Sequence, residues 1–259
     1  MHGWISLFRK VFLTLAVLLF CRAIHASSPV QVVTEVFPPF QYFDSEGKLT
    51  GLSVEIVQLA EKKLYSGDFN EIEVLPWARA FEQASNNDNV LIFTISQTPS
   101  RQDDFQWVYT YEMDNTPYFW VKRNSHLKSL SWSQALLYST AIPRLDTQYD
   151  ELLAKGFSAD RNLFVTNSIS QAVNMLLADR VTFLYAGKIT MLSQLTANGI
   201  DAEKFVAVKS DAKQSPRLGF AFNASTSKPR VEAYKRAFAE LESDGTIAEI
   251  IKKYLSTEG

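Results

Sequence analysis

Two hydrophobic rhythms run along the chain, and the points where one gives way to the other mark its elements. Val30 to Val36 reads as a strand, closed by the turn Phe37-Pro38-Pro39-Phe40 and followed by a second short strand, Gln41 to Phe43. The polar cluster Asp44-Ser45-Glu46-Gly47 is a turn. Leu52, Ile56, Leu59, Ala60 and Leu64 then recur at helical spacing. Ile72 to Leu75 returns to strand, Pro76 suits the first turn of a helix carrying Ala80, Phe81 and Ala84, and Val90 to Ile95 is a buried strand. Strand, helix, strand, helix, strand is an α/β pattern with parallel pairing.

From Ser139 the pattern restarts. A short strand, Thr140 to Pro143, precedes a helix from Gln148 to Lys155 and a strand from Leu163 to Val165. Ala172, Val173, Leu176 and Leu177 share one face of a further helix, and Val181 to Tyr185 is another buried strand. Two such modules imply two lobes. Asp114 to Arg123 is an extended stretch placed to cross between them, and Arg217 to Phe222 is another. Val231, Tyr234, Phe238 and Leu241 mark a penultimate helix that Gly245 stops, and Thr246 with Glu249 spells a capping box for the last one.

The first 26 residues change the picture. Arg9 and Lys10 precede an apolar stretch from Val11 to Cys21, with small residues at Ala23, Ala26 and Ser27, which reads as a cleaved secretory signal peptide over 1–26 and a periplasmic destination. The apolar core falls short of the roughly 20 residues a membrane span needs. Phe20 before Cys21 argues against lipid attachment at that cysteine, and cleavage removes the chain's one cysteine and two of its three histidines, leaving His126. A histidine-based metal site or a Ser-His-Asp triad then has little to be built from, and neither metal nor cofactor is expected. Cleavage also takes three of the 26 basic residues and none of the 28 acidic ones, leaving 23 against 28. That balance disfavours nucleic acid as a partner.

Four segments, "FPPFQYFDSEGKLTGLSVEIVQLAEKKL", "TISQTPSRQDDFQWV", "ISQAVNMLLADRVTFLY" and "LGFAFNASTSKPRVEAYKRAFAELESDGTIAEIIKKYL", resemble in this order the family 3 periplasmic solute-binding proteins, the polar amino-acid binding proteins of ABC importers. The resemblance spans essentially the whole mature chain and marks it as a divergent member. It implies a two-lobed α/β fold, each lobe a mostly parallel sheet flanked by helices, with two crossing strands as hinge. Lobe 1 is expected to be discontinuous, residues 28–115 plus 218–259, and lobe 2 to take 116–217. The implied function is capture of a small carboxylate-bearing solute between the lobes of a monomer, delivered to an inner-membrane permease or a sensor receptor, without enzymatic activity. The alternative is a dehydratase-like enzyme acting on a cyclic acid, for which Glu35, Glu112 or Asp146 is the candidate general acid.

The resemblance also implies site residues. Arg101 matches the arginine that clamps the ligand carboxylate, a task suited to a planar guanidinium that donates two parallel hydrogen bonds. Phe37 and Trp77 match aromatic walls, and Thr94 and Ser96 match polar positions at a strand end. In the second lobe Arg144, Asp146 and Thr147 match a loop that binds carboxylate at a helix N-terminus, with Leu145 and Asp146 departing from the family's Gly and Ser or Thr. Tyr185 is expected to add aromatic contact. Gly187 stands where amino-acid binders carry an aspartate for the ligand's ammonium group, so the ligand is expected to be anionic and not to require that partner.

Overall fold

The computed structural model describes residues 29–65, 71–144, 147–208 and 217–255. The expected signal peptide lies outside the described residues. Among the described residues twelve strands, β1 to β12, form two five-stranded sheets and a small hairpin.

The first sheet has β4 (Ile72–Val74), β1 (Gln31–Thr34), β5 (Val90–Ser96), β12 (Leu218–Asn223) and β6 (Phe105–Tyr111) in that order. The second has β11 (Phe205–Val208), β7 (Pro117–Lys122), β10 (Phe183–Gly187), β8 (Thr140–Pro143) and β9 (Leu163–Thr166). Parallel pairing holds for β4, β1 and β5 and for β10, β8 and β9, the strands of the two α/β modules. The other pairings are antiparallel. They arise because β7 and β12 enter each sheet from a crossing segment and therefore run against their neighbours. The hairpin, β2 (Tyr42–Phe43) with β3 (Leu49–Thr50), turns on Asp44, whose Oδ1 accepts the N–H groups of Glu46 and Lys48 at 2.9 Å each.

Strand alternation sends Val32, Leu91, Phe93, Phe220 and Phe222 to one face of the first sheet. There they meet helix α1 (Leu52–Leu64) and the two last helices, α7 (Lys228–Ser243) and α8 (Thr246–Leu255). Val33, Ile92, Ile95 and Ala221 go to the other face, against α2 (Trp77–Asn86). Ile92 and Ile95 are three apart yet share a face. The alternation is reset by Thr94, a β-branched residue at φ 60°, which β12 skips by pairing Gly219 with Ile95 and Phe220 with Phe93.

The second sheet is covered on one face by α5 (Ile169–Leu177) and α6 (Lys188–Ala197), around Trp120, Leu184 and Ala186. On the other, Phe119, Phe183 and Tyr185 pack with α3 (Trp132–Ala135) and α4 (Thr147–Ala154). Helix α8 begins one residue earlier than its capping box requires. Thr246 is already helical, and Asp244 Oδ1 accepts its N–H at 3.0 Å. Hydrogen bonds from Thr246 hold the Asp244 carboxyl below its usual range.

Candidate functional site

In the first sheet β4, β1, β5 and β6 run the same way, so their carboxyl ends lie along one edge. The same holds for β9, β8, β10 and β11 in the second sheet. The chain passes from Tyr111 at the end of β6 to Pro117, which pairs with Gly187 at the end of β10. Five residues, 112–116, therefore bridge the two carboxyl edges, and the six steps from Tyr111 to Pro117 reach at most about 22 Å. Ile189 at the start of α6 packs against the core of the first sheet. The two edges thus open onto a common cleft, where ligands of open α/β sheets bind.

On the first sheet's edge the loop after β1 folds back on itself. Phe37 N–H donates to the Gln41 carbonyl at 2.7 Å, and the Phe37 ring stacks on buried Phe40 at 5.2 Å. Gly51, the residue before α1, permits this fold, since its φ of 125° and the Phe40 backbone against it leave no space for a side chain. The turn also buries Gln41, whose Oε1 accepts from Thr94 Oγ1 at 2.7 Å. Thr94 in turn bonds Tyr111, whose hydroxyl shares a 2.9 Å hydrogen bond with Ser53. Burial pushes the Tyr111 phenol well above its usual pKa. This polar chain supports Thr94 in its left-handed backbone, and Gln41, Ser53 and Tyr111 are members that sequence pattern did not single out.

Beyond Ser96 the 3-10 turn Pro99–Arg101 carries the arginine back toward the strand end. Arg101 Nη1 donates to the Ser96 carbonyl at 3.4 Å. Its guanidinium carbon lies 4.9 Å from the centroid of Phe81 and 5.9 Å from that of Trp77, the first residue of α2. A cation on aromatic faces is oriented at little cost in hydration. Trp77 is itself buried and packs on Phe81 at 5.9 Å, so it carries the arginine as well as walling the edge. Glu35 is half-buried just after β1, while Glu112 is exposed and lies 3.5 Å from Arg217.

On the second sheet's edge Arg144 is exposed directly after β8, its N–H donating to the Thr166 carbonyl at 2.9 Å. Asp146 lies outside the described residues, and Thr147 is placed only as the first residue of α4. Tyr185 has a different role from the expected ligand contact. Its ring is fully buried, 4.7 Å from Phe119, with its hydroxyl donating to Glu151 Oε2 at 3.0 Å. As the cross-strand partner of Phe119 it faces the core of the second sheet.

Gly187 is the last residue of β10, and a Cβ there would overlap the Oδ1, Cγ and Nδ2 atoms of Asn115. Asn115 is buried and belongs to the bridge between the edges. Its Oδ1 accepts the Thr190 N–H at 3.2 Å and its Nδ2 donates to Thr190 Oγ1 at 2.8 Å. Sequence pattern gave no hint of Asn115, because the glycine it fills lies far along the chain.

The carboxyl edge of the first sheet thus carries Arg101, Phe37 and buried Trp77, and that of the second carries Arg144, with the Asn115 amide packed against Gly187. Among the described residues, no group of three or more His, Cys, Asp or Glu is arranged to hold a metal ion, and no helix is long and apolar enough to cross a membrane. Residues 30–257 match the family described as bacterial extracellular solute-binding proteins, family 3. The L-cystine-binding protein TcyA of Bacillus subtilis (strain 168) is 24% identical over 225 residues, covering 86% of this chain and 79% of that protein. Among solved structures, an ancestral arginine-binding protein bound to arginine superposes with a TM-score of 0.76 at 19% identity, over 89% of this chain and 100% of the other. A histidine kinase sensor domain with similarity to periplasmic binding proteins does so with a TM-score of 0.76 at 17% identity, over 88% and 96%.

Proposed function

The chain belongs to the family 3 bacterial extracellular solute-binding proteins, and from that premise we propose that it captures a small carboxylate-bearing solute in the cleft and presents it to an importer or a sensor. The observation that carries this reading is Arg101, a guanidinium stacked on Phe81 and Trp77 and hydrogen-bonded at the end of β5, where a carboxylate entering the cleft meets its fork. Arg144 on the opposite edge supplies a second cation. Phe37, Thr94 and Ser96 complete the first edge. Residues 28–115 with 218–259 act as one lobe and 116–217 as the other, and closure between them is driven by the ligand's better contacts in the closed state. The mature protein works outside the cytoplasm, after removal of residues 1–26.

The named relatives bind cystine and arginine, which makes α-amino acids the natural comparators. Gly187 stands where the family resemblance implies an aspartate for an ammonium group, and a glycine offers no acid there. The experiment is a thermal-shift screen of the purified protein against mono- and dicarboxylates, α-amino acids and simple amines. A ligand present at 100 times its Kd stabilises the fold by about 2.7 kcal/mol, a shift of several degrees. Stabilisation by carboxylates supports the reading; stabilisation by amines alone defeats it.

A further inference from the structure

We propose that Asn115, on the bridge between the edges and packed against the end of β10, is a specificity-determining residue, a neutral carboxamide that occupies the space of the missing side chain at position 187 and makes the site select against ligands with an ammonium group there. This rests on the solute-binding reading above and names the ligand class within it.

Three observations converge on Asn115. Any Cβ at Gly187 would coincide with its amide atoms, all three nearest neighbours being Oδ1, Cγ and Nδ2 of Asn115. The φ of Gly187 is −62°, which any residue adopts, so the glycine is required by the amide against it and not by backbone conformation. Gly187 is also the residue before α6, the position whose side chain ordinarily accepts an N–H of the first turn, and it has no side chain to do so. Asn115 performs that task from 75 residues away in sequence, accepting the Thr190 N–H while donating to the Thr190 hydroxyl. It is 7% exposed, so the amide is fixed before any ligand arrives.

Asn115 therefore does for the helix what a side chain at 187 would do, and differs from an aspartate there in one property, charge. An ammonium brought against a buried carboxamide loses water and gains no opposite charge, whereas a carboxylate compensates it. A ligand that ends in a hydroxyl, a carbonyl or a hydrocarbon at this point carries no such penalty. The favoured class is acids lacking an α-ammonium group.

The test is calorimetric titration of paired probes that differ only in the α-ammonium: succinate against aspartate, glutarate against glutamate, and phenylacetate against phenylglycine. Asn115→Asp keeps the shape and an acceptor for the Thr190 N–H, with the Thr190 hydroxyl turning to donate. It is expected to shift the affinity ratio toward the amino member of the best-bound pair by about tenfold or more. The double variant Asn115→Gly with Gly187→Asp, which returns the carboxylate to the strand end, is expected to shift it the same way. An unchanged ratio in both folded variants, with acid binding retained, overturns this inference alone, as does a wild type that already prefers the amino member as strongly as Asn115→Asp. Failure of every probe to bind the wild type overturns the carboxylate reading and this inference with it.

Discussion

Replacing Arg101 by alanine separates a packing role from a binding role, because the structure gives the two different sizes. The guanidinium rests on Phe81 and Trp77 and donates a long hydrogen bond, 3.4 Å, to the Ser96 carbonyl. A half-exposed cation on an aromatic face is worth about 0.5–1 kcal/mol. For a chain of this length each kcal/mol moves the Tm by about 2–4 °C, so the ligand-free Tm of Arg101→Ala should fall by only a few degrees. Against a bound carboxylate the loss is larger, about 2–5 kcal/mol for truncating one partner of a buried hydrogen-bonded charge pair. At about 1.4 kcal/mol per tenfold, affinity falls by about 30-fold to several thousand-fold. Arg101→Lys keeps the charge without the fork and should recover little of it. Calorimetry with the best carboxylate from the thermal screen reads the binding change, and thermal unfolding without ligand reads the other. Near-normal affinity alongside a lowered Tm would refute the clamp and leave Arg101 as a stacking residue.

Other expectations follow from the same geometry. Thr94→Val keeps the shape but leaves the buried Gln41 Oε1 without its donor at 2.7 Å, and should cost about 1–3 kcal/mol in denaturant unfolding; a loss within 0.5 kcal/mol, about the scatter of a neutral substitution, would show that Gln41 finds another partner. Gly187→Ala forces the Asn115 amide aside and breaks its bonds to Thr190, a destabilisation of about 1–3 kcal/mol in denaturant unfolding; Asn115→Gly in the same chain should remove the clash but not restore the lost bonds, and a Gly187→Ala chain as stable as the parent would show that the amide has room to move. Burial, then the charge and hydrogen bond of Glu242, push the Tyr109 phenol up to about 12. A raised folded pKa means stability is intact below the ordinary tyrosine value of about 10 and is lost as pH rises through the folded value. Tyr109→Phe should flatten that alkaline decline in a series of thermal melts, and an equally steep decline in the variant would assign it elsewhere.

How much of this was legible in the sequence depended on whether each contact is local. Arg101, Trp77 and Phe37 are each fixed by a neighbouring turn or helix start, and the residues around them carry a readable order. Strand alternation gave most of both sheets, but β6 and β11 went unassigned, and the antiparallel halves depend on where the crossing segments dock. The strand that carries Tyr185 runs on to Gly187, so Tyr185 is not its last residue, and pairing with Phe119 turns that ring into the core. Asn115 and Gln41 were invisible for a related reason. Each matters through a partner 75 or 53 residues away, and a buried amide has no periodic signature. Thr94 was named as a polar contact, yet its positive φ and the bulge it makes appear only once β12 is in place.

The position of β12 has a temporal meaning. It lies between β5 and β6, and among the described residues β6 pairs in its sheet with β12 alone. A chain that emerges amino terminus first delivers β1, β4, β5 and β6, then every strand of the second sheet, and only afterwards β12. The second sheet comes from one uninterrupted stretch and can assemble while the first still waits. Until Leu218 to Asn223 arrive, Phe93 lacks the ring of Phe220 that stacks on it at 5.8 Å, and the backbone of Tyr111 lacks its ladder partner Leu218. Such long-separation pairing is slow. Maturation of the cleft therefore ends with its first edge, and a nascent or prematurely terminated chain, however well formed its later half, has no place to hold a solute.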